Sequence, residues 1–207
     1  MADRLCMGCM EVYEDKYDIC PYCGYKEGAP AKEAIHLAPG TVIGNKYIVG
    51  QSIGNGGFGV TYIGWDAVLN QKIAIKEYLP SEFSTRAMGV SNVTIFTGQK
   101  EEQFLSGVNK FVDEARRLAK FKGVSGIVDI HDTFQANNTA YIIMEYIDGE
   151  TLKERLEREG KIPYEEALKK EVAQSKLEKV TVDFDINDKF FDKNRIVSDR
   201  IKEYANY

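Results

Sequence analysis

The sequence predicts an α+β fold: a five-stranded antiparallel sheet with one main helix, preceded by a small cysteine-bearing module and followed by a short α/β tail. Three observations carry that expectation. Short runs rich in β-branched and aromatic residues alternate with Gly- or Asn-bearing turns, which reads as a meander of strands. One long stretch repeats its apolar residues at helical spacing. All four cysteines fall within the first 23 of 207 residues.

Taken in order, residues 1–27 hold the cysteines, and residues 28–41 have the small, Pro- and Gly-bearing composition of a linker. Strands are expected at Tyr47 to Ser52, Val60 to Trp65 and Lys72 to Tyr78, and again at Ile127 to Phe134 and Thr139 to Tyr146. Between the two groups, Phe104, Val108, Phe111, Ala115 and Leu118 mark one apolar face of a helix over Glu101 to Lys122. The stretch Ser81 to Lys100 is an elaboration with a short strand at Val93 to Thr97, and a charged helix is expected over Thr151 to Glu159. The domain running from residue 42 to 168 is thus flanked by the cysteine module and linker on one side and by residues 169–207 on the other.

Composition narrows the function. With 27 Lys+Arg against 32 Asp+Glu, the formal net charge is −5. A surface of that sign does not favour nucleic acid or an anionic membrane, both of which reward clustered cations. No apolar run reaches the roughly 18 residues of a membrane span, and the first residues lack a signal-peptide core, so the expected compartment is the cytoplasm.

The cysteines form two C-x2-C pairs, Cys6 with Cys9 and Cys20 with Cys23. Two thiolates on each of two tight turns are what a tetrahedral zinc ion needs. A redox dithiol would need only one such pair, and disulfides fit a reducing compartment poorly. Cys20-Pro21-Tyr22-Cys23-Gly24 resembles the knuckle of a bacterial zinc ribbon, which implies a closed structural site serving folding and protein contact.

Gly54-Asn55-Gly56-Gly57-Phe58-Gly59 carries a G-x-G-x-x-G pattern between two expected strands. A dinucleotide fold would open a helix after the last glycine, whereas here Val60-Thr61-Tyr62 continues as strand. The pattern therefore suits a hairpin whose tip closes over phosphates. Lys76 stands in the apolar run Ile73-Ala74-Ile75, and Glu114 lies toward the apolar face of the long helix. A carboxylate placed inward needs a cation, and Lys76 is the expected partner.

Together these motifs resemble the N-lobe of a bacterial, eukaryotic-type Ser/Thr protein kinase. Phe111-Val112-Asp113-Glu114-Ala115 is similar to that family's helix motif, and Ala140 to Ile147 to its fifth strand and hinge. The resemblance implies that Mg-ATP is bound, with Lys76 on the α- and β-phosphates and paired to Glu114. It further implies a glycine loop from Ile53 to Gly59, with Thr61 in place of the usual valine and Ala74 packed on the base. Met144 would be the gatekeeper, the backbones of Glu145 and Ile147 would meet adenine, and Glu150 would reach the ribose.

The same family holds its acceptor base and metal ligands in H-R-D-x-x-x-x-N and D-F-G. Neither His36 nor His131 precedes Arg-Asp, and Asp183-Phe184-Asp185 lacks the glycine. The expected activity is therefore that of an ATP-binding, catalytically incomplete kinase lobe, the alternative being a non-catalytic nucleotide-binding adaptor. Partners beyond ATP would be a protein substrate, or a protein docking on the ribbon or on the underside of the lobe.

Overall fold

The computed structural model describes residues 2–124, 126–150 and 152–160, which divide into two units at Ile147 and Asp148. The expected tail elements beyond residue 160, and the Asp-Phe-Asp sequence among them, lie outside the described residues. The second unit contributes one described helix, α2 (Leu152–Glu159).

The first unit begins with a hairpin of β1 (Asp3–Leu5) and β2 (Val12–Glu14). It continues into a six-stranded antiparallel sheet ordered β3-β4-β5-β6-β10-β9. Its strands are β3 (Val42–Ile43), β4 (Tyr47–Gly56), β5 (Gly59–Asp66), β6 (Gln71–Tyr78), β9 (Ile130–Ala136) and β10 (Thr139–Glu145). The five expected strands are present, and β3 adds a two-residue edge. A separate miniature pair, β7 (Ser84–Thr85) with β8 (Thr94–Ile95), forms inside the elaboration between β6 and the helix.

The sheet curls until its edges meet. The Tyr47 hydroxyl donates to Asp132 Oδ2 at 2.7 Å, and its ring stacks on Phe134 with centroids 5.9 Å apart. Strand alternation then gives the two faces different fates. Tyr47, Val49, Tyr62, Ile73, Ile75, Tyr141 and Ile143 fill the interior of the curl and are buried. The opposite face receives α1 (Gln99–Leu118), whose buried stripe is Phe104, Val108, Phe111, Val112 and Ala115. Glu101 and Glu102 in its first turn and Arg116 and Arg117 in its last complement the helix dipole. At Gly107 the helix comes so close that an added Cβ would lie 1.9 Å from the Tyr78 hydroxyl.

Residues 32–41, read from composition as the end of a linker, instead lie packed on the sheet as a strap. Leu37 is buried, and its amide donates to the Tyr62 hydroxyl at 3.1 Å. The Gly40 amide donates to the Val49 carbonyl and Val49 to Thr41, so the strap pairs along β4 before β3 formally begins. Small residues gave this stretch the look of flexible chain. They allow it to lie close against the strand.

Candidate functional site

The four sulfurs converge. Gly8 donates its amide to Cys6 Sγ at 3.3 Å, the kind of turn each C-x2-C pair supplies. Met10 and Gly24, each following the second cysteine of its pair, both adopt positive φ (58° and 74°). Gly24 does so without steric cost, whereas Met10 holds this conformation with its side chain buried. All four Sγ atoms lie within 4.8 Å of one another, with Cys6–Cys23 at 3.5 Å and Cys9–Cys20 at 3.8 Å. A tetrahedron with metal–sulfur bonds of about 2.3 Å has edges near 3.8 Å, so the donor set fits zinc. It does not fit disulfides, whose sulfurs sit about 2.05 Å apart. Burial pushes the Cys6 thiol up to about 11 and raises Cys9 further, whereas at Cys20 burial is outweighed by the backbone N–H groups of Cys23 and Tyr22 and the thiol is lowered.

This cysteine ribbon is docked on the sheet. Met10 and the carbonyl of Met7 fill the space over Gly50, where a Cβ would lie 2.3 Å from Met10 Cε and 2.9 Å from Ile63. The Gln51 amide donates to Met7 O at 2.8 Å, and Lys72 Nζ meets Glu11 at 2.7 Å while lying 5.5 Å from the centre of the Tyr146 ring. The ribbon therefore touches the strand that leads into the glycine loop, and through Lys72 the start of the hinge.

The glycine hairpin closes with Gly56 paired to Gly59. Gly59 is needed for packing, because a Cβ there would lie 1.8 Å from the Glu77 carbonyl oxygen. Gly56 and Gly57 have open space where a side chain would project. The exposed tip, Ile53 to Phe58, includes Asn55, whose side-chain amide donates to Glu33 of the strap at 3.2 Å.

Register places the other expected residues on one face. Thr61 and Ile142 flank Lys76, and Ile63 and Met144 flank Ala74, so Thr61, Ala74, Lys76 and Met144 line adjacent rows of the α1 side. The Glu145 amide is committed to the Asp129 carbonyl at 2.9 Å, which leaves its own carbonyl as the group to offer a ligand. Ile147 is exposed at the end of the unit. Glu150 lies in the second unit, where Arg158 binds its carboxylate.

Lys76 and Glu114 are both half-buried, but among the described residues they form no ion pair. Lys76 Nζ instead lies 5.7 Å from the centroid of Phe111, one helical turn before Glu114. The inward carboxylate that the sequence called for exists elsewhere. It is Glu77, completely buried on the interior face and bound through both oxygens by Arg86, whose side chain is also completely buried. The Tyr62 hydroxyl donates to Glu77 at 2.9 Å, and Arg86 also donates to the carbonyls of Ile35 and Ser91. Burial opposes a charge on Arg86, yet the Glu77 contact raises its pKa above the ordinary value. Sequence reasoning missed this pair. Its signal was the alternation Ile73, Ile75, Glu77, which puts a carboxylate in an inward apolar row.

Comparison with known proteins agrees with this geometry. Residues 47–180 match the protein kinase domain family model. A probable serine/threonine-protein kinase of Clostridium acetobutylicum is 34% identical over 129 residues, 62% of this chain and 17% of that protein. The serine/threonine-protein kinase PknG of Mycolicibacterium smegmatis is 27% identical over 154 residues, 72% of this chain and 17% of its own length. Among solved structures, the apo form of PpkA-294 superposes with a TM-score of 0.55 at 32% identity, covering 59% of this chain and 42% of that one. The chain thus spans less than a fifth of the length of these curated relatives.

Proposed function

The chain belongs to the protein kinase domain family, and on that premise we propose that its first unit is the nucleotide-binding half of a Ser/Thr kinase site, carried beside a structural zinc ribbon. The observation that carries this reading is the shared face of Thr61, Ala74, Lys76 and Met144 beneath a glycine hairpin with open space at Gly56 and Gly57. Thr61 and Ala74 would pack against one face of the base, and Glu145 would offer its carbonyl to the exocyclic amine. Backbone amides of the hairpin and the Lys76 ammonium would take the phosphates, where opposite charge and directed N–H groups favour an anion. For Lys76 to be braced by Glu114 the helix must shift, because Phe111 now faces the ammonium.

Cys6, Cys9, Cys20 and Cys23 would hold zinc, a closed four-sulfur site that stabilises a small fold and offers no open position for catalysis. Magnesium would enter with ATP. This sequence carries neither the His-Arg-Asp loop nor the Asp-Phe-Gly motif that hold acceptor and metal in the family. A second reading is a nucleotide-binding adaptor that does not itself transfer phosphate.

Labelled Mg-ATP with a generic Ser/Thr acceptor protein, run beside Lys76→Ala, separates the two. Nucleotide bound in a Lys76-dependent way without transfer is the expected result. Transfer that Lys76→Ala abolishes would show that residues not recognised here supply the base and metal ligands. Equal binding by both proteins would remove the nucleotide site. Metal analysis of fresh protein should find about one zinc per chain, and less than half an equivalent would contradict the ribbon.

A further inference from the structure

Lys76 and Glu77 are neighbours on β6, so their side chains leave opposite faces of the same strand. Lys76 reaches the α1 side. Glu77 reaches the interior and is gripped by Arg86 from the elaboration between β6 and α1. Among the described residues, Glu77 and Arg86 are the one ion pair whose two side chains are both completely buried.

Every polar atom of this pair has at least one partner within the chain. Glu77 takes Arg86 twice and Tyr62 once, and Arg86 also donates to Ile35 O at 2.9 Å and Ser91 O at 3.1 Å. No ligand is called for. Nor is stability a sufficient reason, because well-packed apolar residues replace buried ion pairs at little or no cost. What the pair does supply is fixed geometry. It joins β6 to the strap at Ile35 and to the elaboration, which at Gly98 becomes the N-terminus of α1. The strand bearing Lys76 and the lead-in to the helix bearing Glu114 are therefore referenced to each other through a bidentate contact on the far side of the sheet.

We propose that Glu77 and Arg86 are positioning residues that set the aim of Lys76 toward the nucleotide face and its distance from α1. The inference rests on the nucleotide-site reading given above, and its test is chosen to separate the two. The informative protein is the full chain carrying Glu77→Leu with Arg86→Met, which keeps volume and removes the buried charges. Its readouts are the urea midpoint, the Mg-ATP dissociation constant, and the acetylation of Lys76 by limiting acetic anhydride relative to exposed Lys122.

The double variant should still unfold cooperatively in urea, bind Mg-ATP about tenfold more weakly, and shift the Lys76 acetylation ratio about fivefold. A stable double variant with wild-type nucleotide affinity and acetylation ratio would overturn the proposal. If wild-type protein shows no Lys76-dependent Mg-ATP binding, the proposed function falls, and the acetylation ratio alone decides whether the pair aims Lys76. Should the double variant fail to fold, Glu77→Gln, which retains shape and one acceptor, is measured in the same way. A ratio within twofold of wild type would again overturn the proposal.

Discussion

The two faces of β6 carry opposite arrangements of charge. On the interior face Glu77 is sealed from water and every polar atom of its ion pair has a partner, whereas one residue earlier Lys76 is half-buried, flanked by Thr61 and Ile142, with the Phe111 ring near its ammonium and no ion pair among the described residues. A charge that holds a fold together is buried and fully paired, because an unpaired one costs several kcal/mol. A charge kept for a ligand stays partly solvated and uncommitted. That difference underlies the reading of Glu77 as a buried positioning acid and Lys76 as the cation available to a ligand, at two adjacent positions of one strand.

The sharpest way to break this comparison is to remove one partner of the sealed pair. Arg86→Ala leaves Glu77 buried and uncompensated and is expected to cost about 3–5 kcal/mol in urea unfolding. A loss below about 1 kcal/mol would mean that water reaches Glu77.

Metal removal tests whether the α1 side also depends on the ribbon. Chelation should release zinc, withdraw Met10 from its seat over Gly50, and lower lobe stability by about 2 kcal/mol, seen as a fall in the melting transition. Zinc held by the four sulfurs would displace the thiol protons, so its retention should weaken as pH falls. Gly50→Ala should mimic part of the loss with metal still bound, by about 1–3 kcal/mol from steric overlap.

A smaller effect is expected at His36 in the strap. It is buried, neither ring nitrogen has a hydrogen-bond partner, and its nearest carboxylate, Glu33, lies 3.7 Å away. Burial lowers its pKa below 6.5, with Arg86 and Lys32 acting in the same direction and Glu33 and Glu77 against it. The folded state thus prefers neutral imidazole. Its contribution is complete above the unfolded value and is lost as pH falls below it. His36→Phe should flatten stability between pH 7 and 5; an unchanged slope would place the titration elsewhere.

Much of this was legible in the sequence. Strand texture located the five main strands, helical spacing located α1, and the paired C-x2-C motifs located four sulfurs that the structure gathers together. The rule that an inward carboxylate needs a cation was sound, but it was attached to Glu114 rather than Glu77. Helical periodicity gives a face only to within about one position, while a strand's two-residue alternation is strict, and the strict signal at Ile73, Ile75 and Glu77 was the one to follow. The strap and Arg86 were hidden for a different reason. Their burial depends on contacts between residues 35, 62, 77 and 86, which no local pattern encodes.

The separation of the two faces is tested most directly by thermal unfolding of wild type and Lys76→Ala, each with and without saturating Mg-ATP. Without nucleotide the two proteins should melt together, because a half-exposed lysine with no ion partner contributes less than about 1 kcal/mol. At about a hundredfold excess over the dissociation constant, Mg-ATP should stabilise wild type by about 2.7 kcal/mol and leave Lys76→Ala largely unmoved. A variant that responds to Mg-ATP as wild type does, or that melts as early as Arg86→Ala, would contradict the assignment of Lys76 to the nucleotide and Glu77 to the fold.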